Sequence, residues 1–165
     1  PSPKPAALAP LDPPRELVRE SQTIQADMTY TYVSTGNFRC TVIGRKDTST
    51  TRTFYGFGFQ RDTGGVDTYR LISRISSTPT TLGDSVSATA SSAVIKLSIN
   101  GTTITGYVNG AIVVGPVTDS SITTNTRGGL AYTGGAAGDA CTADNFSVSD
   151  FLNRGRGGAL WVPYP

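Results

Sequence analysis

The sequence predicts an all-β protein of short antiparallel strands, and three observations carry that expectation. Straight-chain helix formers are scarce: among 165 residues there are two Glu, three Lys and one Met, whereas Gly, Ser and the β-branched residues abound. Such a composition favours strands and tight turns over helices. Apolar residues recur with a period of two in one segment after another. Finally, residues 98–113, SINGTTITGYVNGAIV, hold two Asn-Gly pairs nine residues apart. Asn-Gly between alternating runs is the strongest short-range hairpin signal, because both residues accept the φ > 0 that a type I′ turn demands.

In chain order, the first 22 residues, PSPKPAALAPLDPPRELVRESQ, stand apart. Six prolines in fourteen residues predict an extended, polyproline-like arm, with at most a short helix from Asp12 to Glu20. The arm is either a floppy leader or a stiff segment that lies on a neighbouring subunit. From Thr23 onward one strand follows another. TIQADMTYTYV puts Ile24, Ala26, Met28, Tyr30 and Tyr32 on one face. CTVIGRKD is the second strand. TRTFYGFGFQRD sets Tyr55, Phe57 and Phe59 against Gly56 and Gly58, and glycines inside a strand mark a bulge or the close approach of another backbone. Residues 62–65 form a turn. VDTYRLISRIS then faces Tyr69, Leu71, Ser73 and Ile75 one way and Arg70, Ile72 and Arg74 the other. TTLGDSVSATASS reads as one short strand and a loop.

The two Asn-Gly pairs predict a three-stranded meander over 93–99, 102–108 and 111–114. A loop leads to a strand near 129–133, and CTADNFSVSDF closes the domain with Phe146 and Val148 inward. The tail LNRGRGGALWVPYP gathers Leu160, Trp161, Val162 and Tyr164 among Gly, Arg and Pro. Aromatic anchors of this kind either fold back over the core or dock on another chain. The organisation is therefore a Pro-rich arm (1–22), a β domain (23–151) and a C-terminal docking tail (152–165).

Composition also excludes function classes. The net charge is +2 and the arginines are scattered along the sequence, so no basic run supports nucleic-acid binding. No apolar stretch approaches the roughly 20 residues that span a bilayer as a helix. Cys40 and Cys141 fit two half-buried thiols better than one long-loop disulfide, since spacing alone cannot supply the Cα separation of about 5.5 Å that a bridge needs. With no histidine, Ser-His and Cys-His nucleophile systems are excluded.

The order of elements carries a resemblance. The aromatic-glycine strand FYGFGFQRD, the strand DTYRLISR, the run VIKLSINGTTITGYVNGAIVVGPVTDSSITTNTRGGLAYTGG and the closing CTADNFSVSDF together resemble the concanavalin A-like lectin/glucanase jelly rolls. Most similar are the laminin-G-like variants of bacteriophage virion proteins and bacterial carbohydrate-associated proteins. The resemblance covers residues 23–151 and implies an antiparallel two-sheet jelly-roll sandwich. Such domains usually open with a further aromatic strand or two. Here the arm takes that place, so an edge of the roll is either trimmed or covered by the tail or a neighbour, since a bare edge is an aggregation hazard.

The glucanase branch implies two glutamates and an aspartate on one strand, and glycosidases in general need two carboxyls about 5–9 Å apart. Both glutamates here, Glu16 and Glu20, lie in the arm, and no strand has alternating acids, so no catalytic residue and no enzyme is expected. The resemblance allows one cofactor, a structural Ca²⁺ at a rim. Asp119 and Asp144 are its candidates, against the plainer reading of two Asx turns. A sugar site would draw on Tyr107, Tyr69 and Tyr132 with Asn109 and Arg70 nearby in sequence, although tyrosines on sheet faces also fill cores and rims.

The leading expectation is a non-enzymatic structural protein of a bacteriophage virion, a capsid decoration protein or a minor tail or fibre subunit. It would attach through its arms to other virion proteins and make homo-oligomeric or lattice contacts. The alternative is a carbohydrate-binding module of a secreted bacterial protein or adhesin, extracellular and bound to host-surface glycans.

Overall fold

The computed structural model describes residues 21–32, 38–48, 52–85, 87–88, 90–123, 127–134 and 137–151. Most of the arm, with its expected helix, and the tail residues Leu160, Trp161, Val162 and Tyr164 lie outside the described residues. Ten strands follow in order: β1 (Ser21–Thr31), β2 (Phe38–Lys46), β3 (Phe54–Arg61), β4 (Asp67–Ile75), β5 (Thr78–Asp84), β6 (Ser92–Asn100), β7 (Thr103–Val108), β8 (Ala111–Thr118), β9 (Arg127–Thr133) and β10 (Ala140–Phe151). They form two antiparallel five-stranded sheets, β10-β1-β6-β7-β8 and β5-β4-β3-β2-β9, which is the all-β two-sheet sandwich expected from the sequence. No helix among the described residues is long and apolar enough to cross a membrane.

Period-two patterning builds the core. Ile24, Ala26, Met28 and Tyr30 of β1 and Ala93, Ile95, Leu97 and Ile99 of β6 are buried against Phe38, Cys40 and Val42 of β2, Tyr55, Phe57 and Phe59 of β3 and Tyr69 and Leu71 of β4. Gly106 of β7 is needed for close packing: a Cβ there would collide with the Phe57 ring. On the outer face of the second sheet a smaller cluster forms from Ile43, Phe54 and Ile72. It explains why β2 and β4 carry apolar residues on both faces.

Four details differ from expectation. First, only Asn109-Gly110 has both residues at φ > 0 (51° and 84°), as a type I′ turn requires. At the other pair Asn100 stays in β6 opposite Thr103, and the turn is Gly101-Thr102 with Gly101 at φ 58°. That shift keeps Ile99 opposite Ile104 in the core, and Asn100 Oδ1 accepts a bond from the Ser21 hydroxyl. Second, β4 and β5 form a hairpin on Ser76 and Ser77, both at φ > 0. The serines give no Asn-Gly signal, so the sequence placed this strand two residues late. Third, β1 begins at Ser21, inside the expected arm, because Gln22 is buried and its Oε1 accepts a bond from the Arg45 amide.

Fourth, Cys40 and Cys141 are joined in a disulfide, with Cα atoms 5.9 Å apart across 101 residues. The preference for free thiols fails because β2 and β10, in opposite sheets, end up facing each other, a proximity that the sequence separation hides. Beside that bridge the sandwich is open. Its edges β9 and β10 lie on one side, and Phe146 and Val148 of β10, expected to be buried, are 44% and 39% exposed. Among the described residues β10 pairs on one flank only, and a bulge opposite β1 between Gln25 and Asp27 further irregularises it. The opposite edges, β5 and β8, carry Pro79 and Pro116, residues that cannot extend a ladder.

Candidate functional site

One end of the sandwich holds a cavity of about 330 Å³ lined by Tyr30, Tyr32, Phe59, Asp67, Ala88, Ala90 and Ser91. Alternation along β1 and β3 brings its aromatic wall together: Phe59 stacks against Tyr30 and Tyr32, with ring centroids 3.9 and 5.6 Å away. The polar wall comes from the β3–β4 hairpin. Arg61 and Asp67 are its last paired residues, flanking a turn in which Asp62 Oδ1 accepts bonds from the amides of Gly64 and Val66. Arg61 Nη1 donates to both Asp67 oxygens at 3.0 and 3.1 Å and its guanidinium lies 4.1 Å from the Tyr32 ring centroid. The Tyr32 hydroxyl donates to Asp67 Oδ2 at 2.6 Å. The third wall follows β5. The Ala88 amide bonds the Asp67 carbonyl, and the Ser91 carbonyl accepts from the Tyr30 amide.

The protonation states suit neutral hydrogen bonding. Burial and then the contact with Tyr69, 3.1 Å away, push the Tyr30 phenol up. Its hydroxyl donates to the Ala90 carbonyl. The bond to Asp67 and then burial push the Tyr32 phenol up as well. Both phenols thus remain hydroxyl groups across ordinary pH. The Asp67 carboxylate has about four acceptor positions, three of which are used by Arg61 and Tyr32, leaving room for a ligand hydroxyl. The pocket therefore combines an apolar aromatic wall with convergent hydroxyl, carboxylate and carbonyl groups, and its size suits a small polar molecule. Among the described residues no second carboxylate lines it.

The residues singled out in the sequence do not gather here. Tyr69 lies just behind the pocket, buried, with its hydroxyl on Tyr30. Tyr107 is on the outer face of the other sheet beneath the Lys96 ammonium, 4.0 Å from its ring centroid. Asn109 is consumed by its turn, its Oδ1 accepting from the Val94 amide. Tyr132 sits on edge strand β9, half exposed, donating to the Asp139 carbonyl at 2.8 Å. Arg70 lies on the outer face of β4, paired with Asp84. Five candidates thus occupy separate places. What sequence reading missed is Tyr32 with Arg61 and Asp67. Its available signals were the Tyr-x-Tyr at the end of the first strand and opposite charges flanking a tight turn.

Nor are the two proposed calcium ligands brought together. Asp119 follows β8, where its Oδ1 accepts from the Ser121 amide and the Tyr55 hydroxyl, both at 2.7 Å. This is the Asx turn of the plainer reading. Asp144 sits within β10 opposite Asp27, with its Oδ1 on the Asn145 amide. No group of three or more His, Cys, Asp or Glu able to hold a metal forms among the described residues.

No family model matches the chain, and no curated protein matches its sequence. Solved structures match its fold. The carbohydrate-binding module CBM66 from Bacillus subtilis superposes with a TM-score of 0.59 at 14% identity, over 78% of this chain and 74% of that one. The GH43 protein BlXynB from Bacillus licheniformis gives 0.56 at 14% identity, over 80% of this chain and only 28% of that one. A functionally unknown protein from Saccharomyces cerevisiae gives 0.52 at 15% identity, over 81% of this chain and 71% of that one. At such identities the likeness is one of fold. It agrees with a concanavalin A-like sandwich, and none of the three is described as a virion protein.

Proposed function

We propose that this chain is a non-catalytic carbohydrate-binding domain that seats a saccharide unit in the Tyr30–Tyr32–Asp67 pocket. The observation that carries the reading is the junction of an aromatic wall with an Arg61-held carboxylate at the end of the sandwich. A sugar offers both an apolar ring face and a fringe of hydroxyls, and this pocket answers both. Asp67, the one lining carboxylate among the described residues and already engaged by Arg61 and Tyr32, favours a reading of binding without hydrolysis, since a glycosidase needs an acid and a second carboxylate. The fold-level likeness to a carbohydrate-binding module supports this reading over the virion one, whose motivation rests in part on an arm and tail that lie mostly outside the described residues. The disulfide supports an extracellular setting.

The test is a titration of the 15N-labelled protein with a panel of neutral mono- and oligosaccharides. The expected result is a saccharide that shifts the amides of Tyr32, Asp67, Ala88 and Ser91, with affinity reduced about tenfold by Tyr32→Phe, which removes one hydrogen bond to the carboxylate. A panel in which no sugar moves those amides, or a binder indifferent to that change, overturns the reading.

A further inference from the structure

One part of the outer face of the sheet β5-β4-β3-β2-β9 gathers Arg39 of β2 with Arg70 and Arg74 of β4, a strand that the sequence keeps well apart from β2. Pairing aligns Arg39, Gln60 and Thr68 in one row across β2, β3 and β4, and Thr41, Gly58, Arg70 and Asp84 in the next row across β2, β3, β4 and β5. Directly paired residues share a face, and Phe57 and Phe59 occupy the inner one, so these rows point outward. Arg74, four residues along β4, is on the same face. Gly58 leaves the middle of the second row bare, and the position is fixed as glycine because a Cβ would collide with the Cys40 carbonyl.

The charges on this face are unevenly matched. Arg70 has Asp84. Arg74 donates to the Ser77 carbonyl at 3.1 Å. Arg39 has neither: its Nε is buried with no hydrogen-bond partner, and no carboxylate pairs with it among the described residues. Burial and then the repulsion of Arg70 and Arg74 both oppose its charged form. Arginine nonetheless stays ionised. A half-buried cation beside two others, with no anion of its own, is the arrangement expected where an external oxyanion completes the site.

We propose that this outer sheet face binds an acidic saccharide, seating a carboxylate or sulfate of the sugar against Arg39 and Arg70 above Gly58, with Thr41 and Thr68 to meet its hydroxyls. The glycan class rests on the carbohydrate-binding reading, but the face is separate from the end pocket. A polynucleotide fits less well. Strong phosphate-backbone binding draws on roughly six to ten cationic contacts, and the part of this face around Gly58 offers three arginines, one of them paired with Asp84.

The experiment uses the whole chain with its disulfide intact. It is screened on an array of carboxylated and sulfated polysaccharides and then titrated with an oligogalacturonate, the methyl ester of the same oligomer and a single-stranded oligonucleotide. The expected result is binding to at least one acidic glycan class. The methyl ester, with its charge removed and its ring kept, is expected to bind about tenfold more weakly, and Arg39→Gln to lose about tenfold in acid binding. Because no side-chain hydrogen bond of Arg39 is present among the described residues for the change to break, the unfolding midpoint should stay within about 2 °C. Tyr32→Phe should leave acid binding unaltered, so failure of the end pocket and failure of this face read out separately. The proposal is overturned by an array with no acidic spot above neutral controls, by ester and acid binding alike, by full acid binding in Arg39→Gln, or by equal or tighter binding of the oligonucleotide.

Discussion

Strand β2 carries an arginine near each end, and the two are used in opposite ways. Arg45 is 4% exposed. It sits at φ 47°, where the β2–β9 register shifts between Ile43 and Lys46, a bulge that breaks strand alternation. Its Nη1 donates to the Ile122 carbonyl at 2.7 Å and its Nη2 to the Gly101 carbonyl at 2.6 Å. It thereby ties the β6–β7 turn to the segment after β8. Arg39 lies next to Cys40, and among the described residues its side chain makes no hydrogen bond or ion pair. Its end of the strand is held instead by the bridge to Cys141. Where a covalent link secures the architecture, the neighbouring cation is released from structural duty; where there is none, the cation is the link. A buried arginine is therefore no evidence for a binding site until its acceptors have been counted.

The largest effect expected from breaking this contrast comes from the bridge. Closing a loop across 101 residues removes unfolded-state entropy equivalent to about 4.7 kcal/mol on the chain-entropy account. The double variant Cys40→Ala with Cys141→Ala should lose stability of that order in urea unfolding. Amide exchange should quicken around Arg39, Tyr132 and Cys141 more than around Gly101, Arg45 and Ile122. Uniform quickening at both ends would mean that the two ends are not held separately.

Next comes Arg45 itself. Arg45→Met keeps much of the apolar stem but strands the Ile122 and Gly101 carbonyls, which should cost about 2–3 kcal/mol. Arg39→Met, at a less buried position of the same strand, should fall within about 0.5 kcal/mol of the parent, since no side-chain hydrogen bond or ion pair of Arg39 is present among the described residues to be lost. The comparison fails if the two variants unfold at the same denaturant concentration.

How much of this was legible beforehand depends on which distances matter. Patterns that live within one strand were readable: the inward set Ile24, Ala26, Met28 and Tyr30, the aromatic row Tyr55, Phe57 and Phe59, and the Asn109-Gly110 turn all stand as the sequence predicts. What lives between strands was not. The Cys40–Cys141 bridge, the meeting of Tyr32 with Asp67 and the outward gathering of Arg39 and Arg70 depend on the pairing register and on which sheets face each other, and alternation within a strand is silent on both. The Ser76-Ser77 turn was hidden for a different reason. Serine has no intrinsic preference for φ > 0, so tertiary context imposes it, with the Ser76 amide bonded to the Thr53 hydroxyl.

The smallest effect distinguishes the two ends of β2 by pH. The segment that presents the Ile122 carbonyl to Arg45 is organised by Asp119. Tyr55 and Ser121 both bond its Oδ1, and the Ile122 amide in turn donates to the Tyr55 hydroxyl at 3.2 Å. Partial burial pushes the Asp119 carboxyl up, but the bonds from Ser121 and Tyr55 together outweigh it and hold the group below the usual carboxylate range. A folded pKa below the unfolded one, about 3.9, means that the contribution to stability is fully present above that value and is lost as pH falls through the folded pKa. Unfolding midpoints measured between about pH 2 and 5 should therefore fall less steeply with acid in Asp119→Asn than in the parent, and acid should quicken exchange at Ile122 and Gly101 before it does so at Arg39. Parallel pH curves for the two proteins would remove Asp119 from the set of groups that hold the Arg45 end.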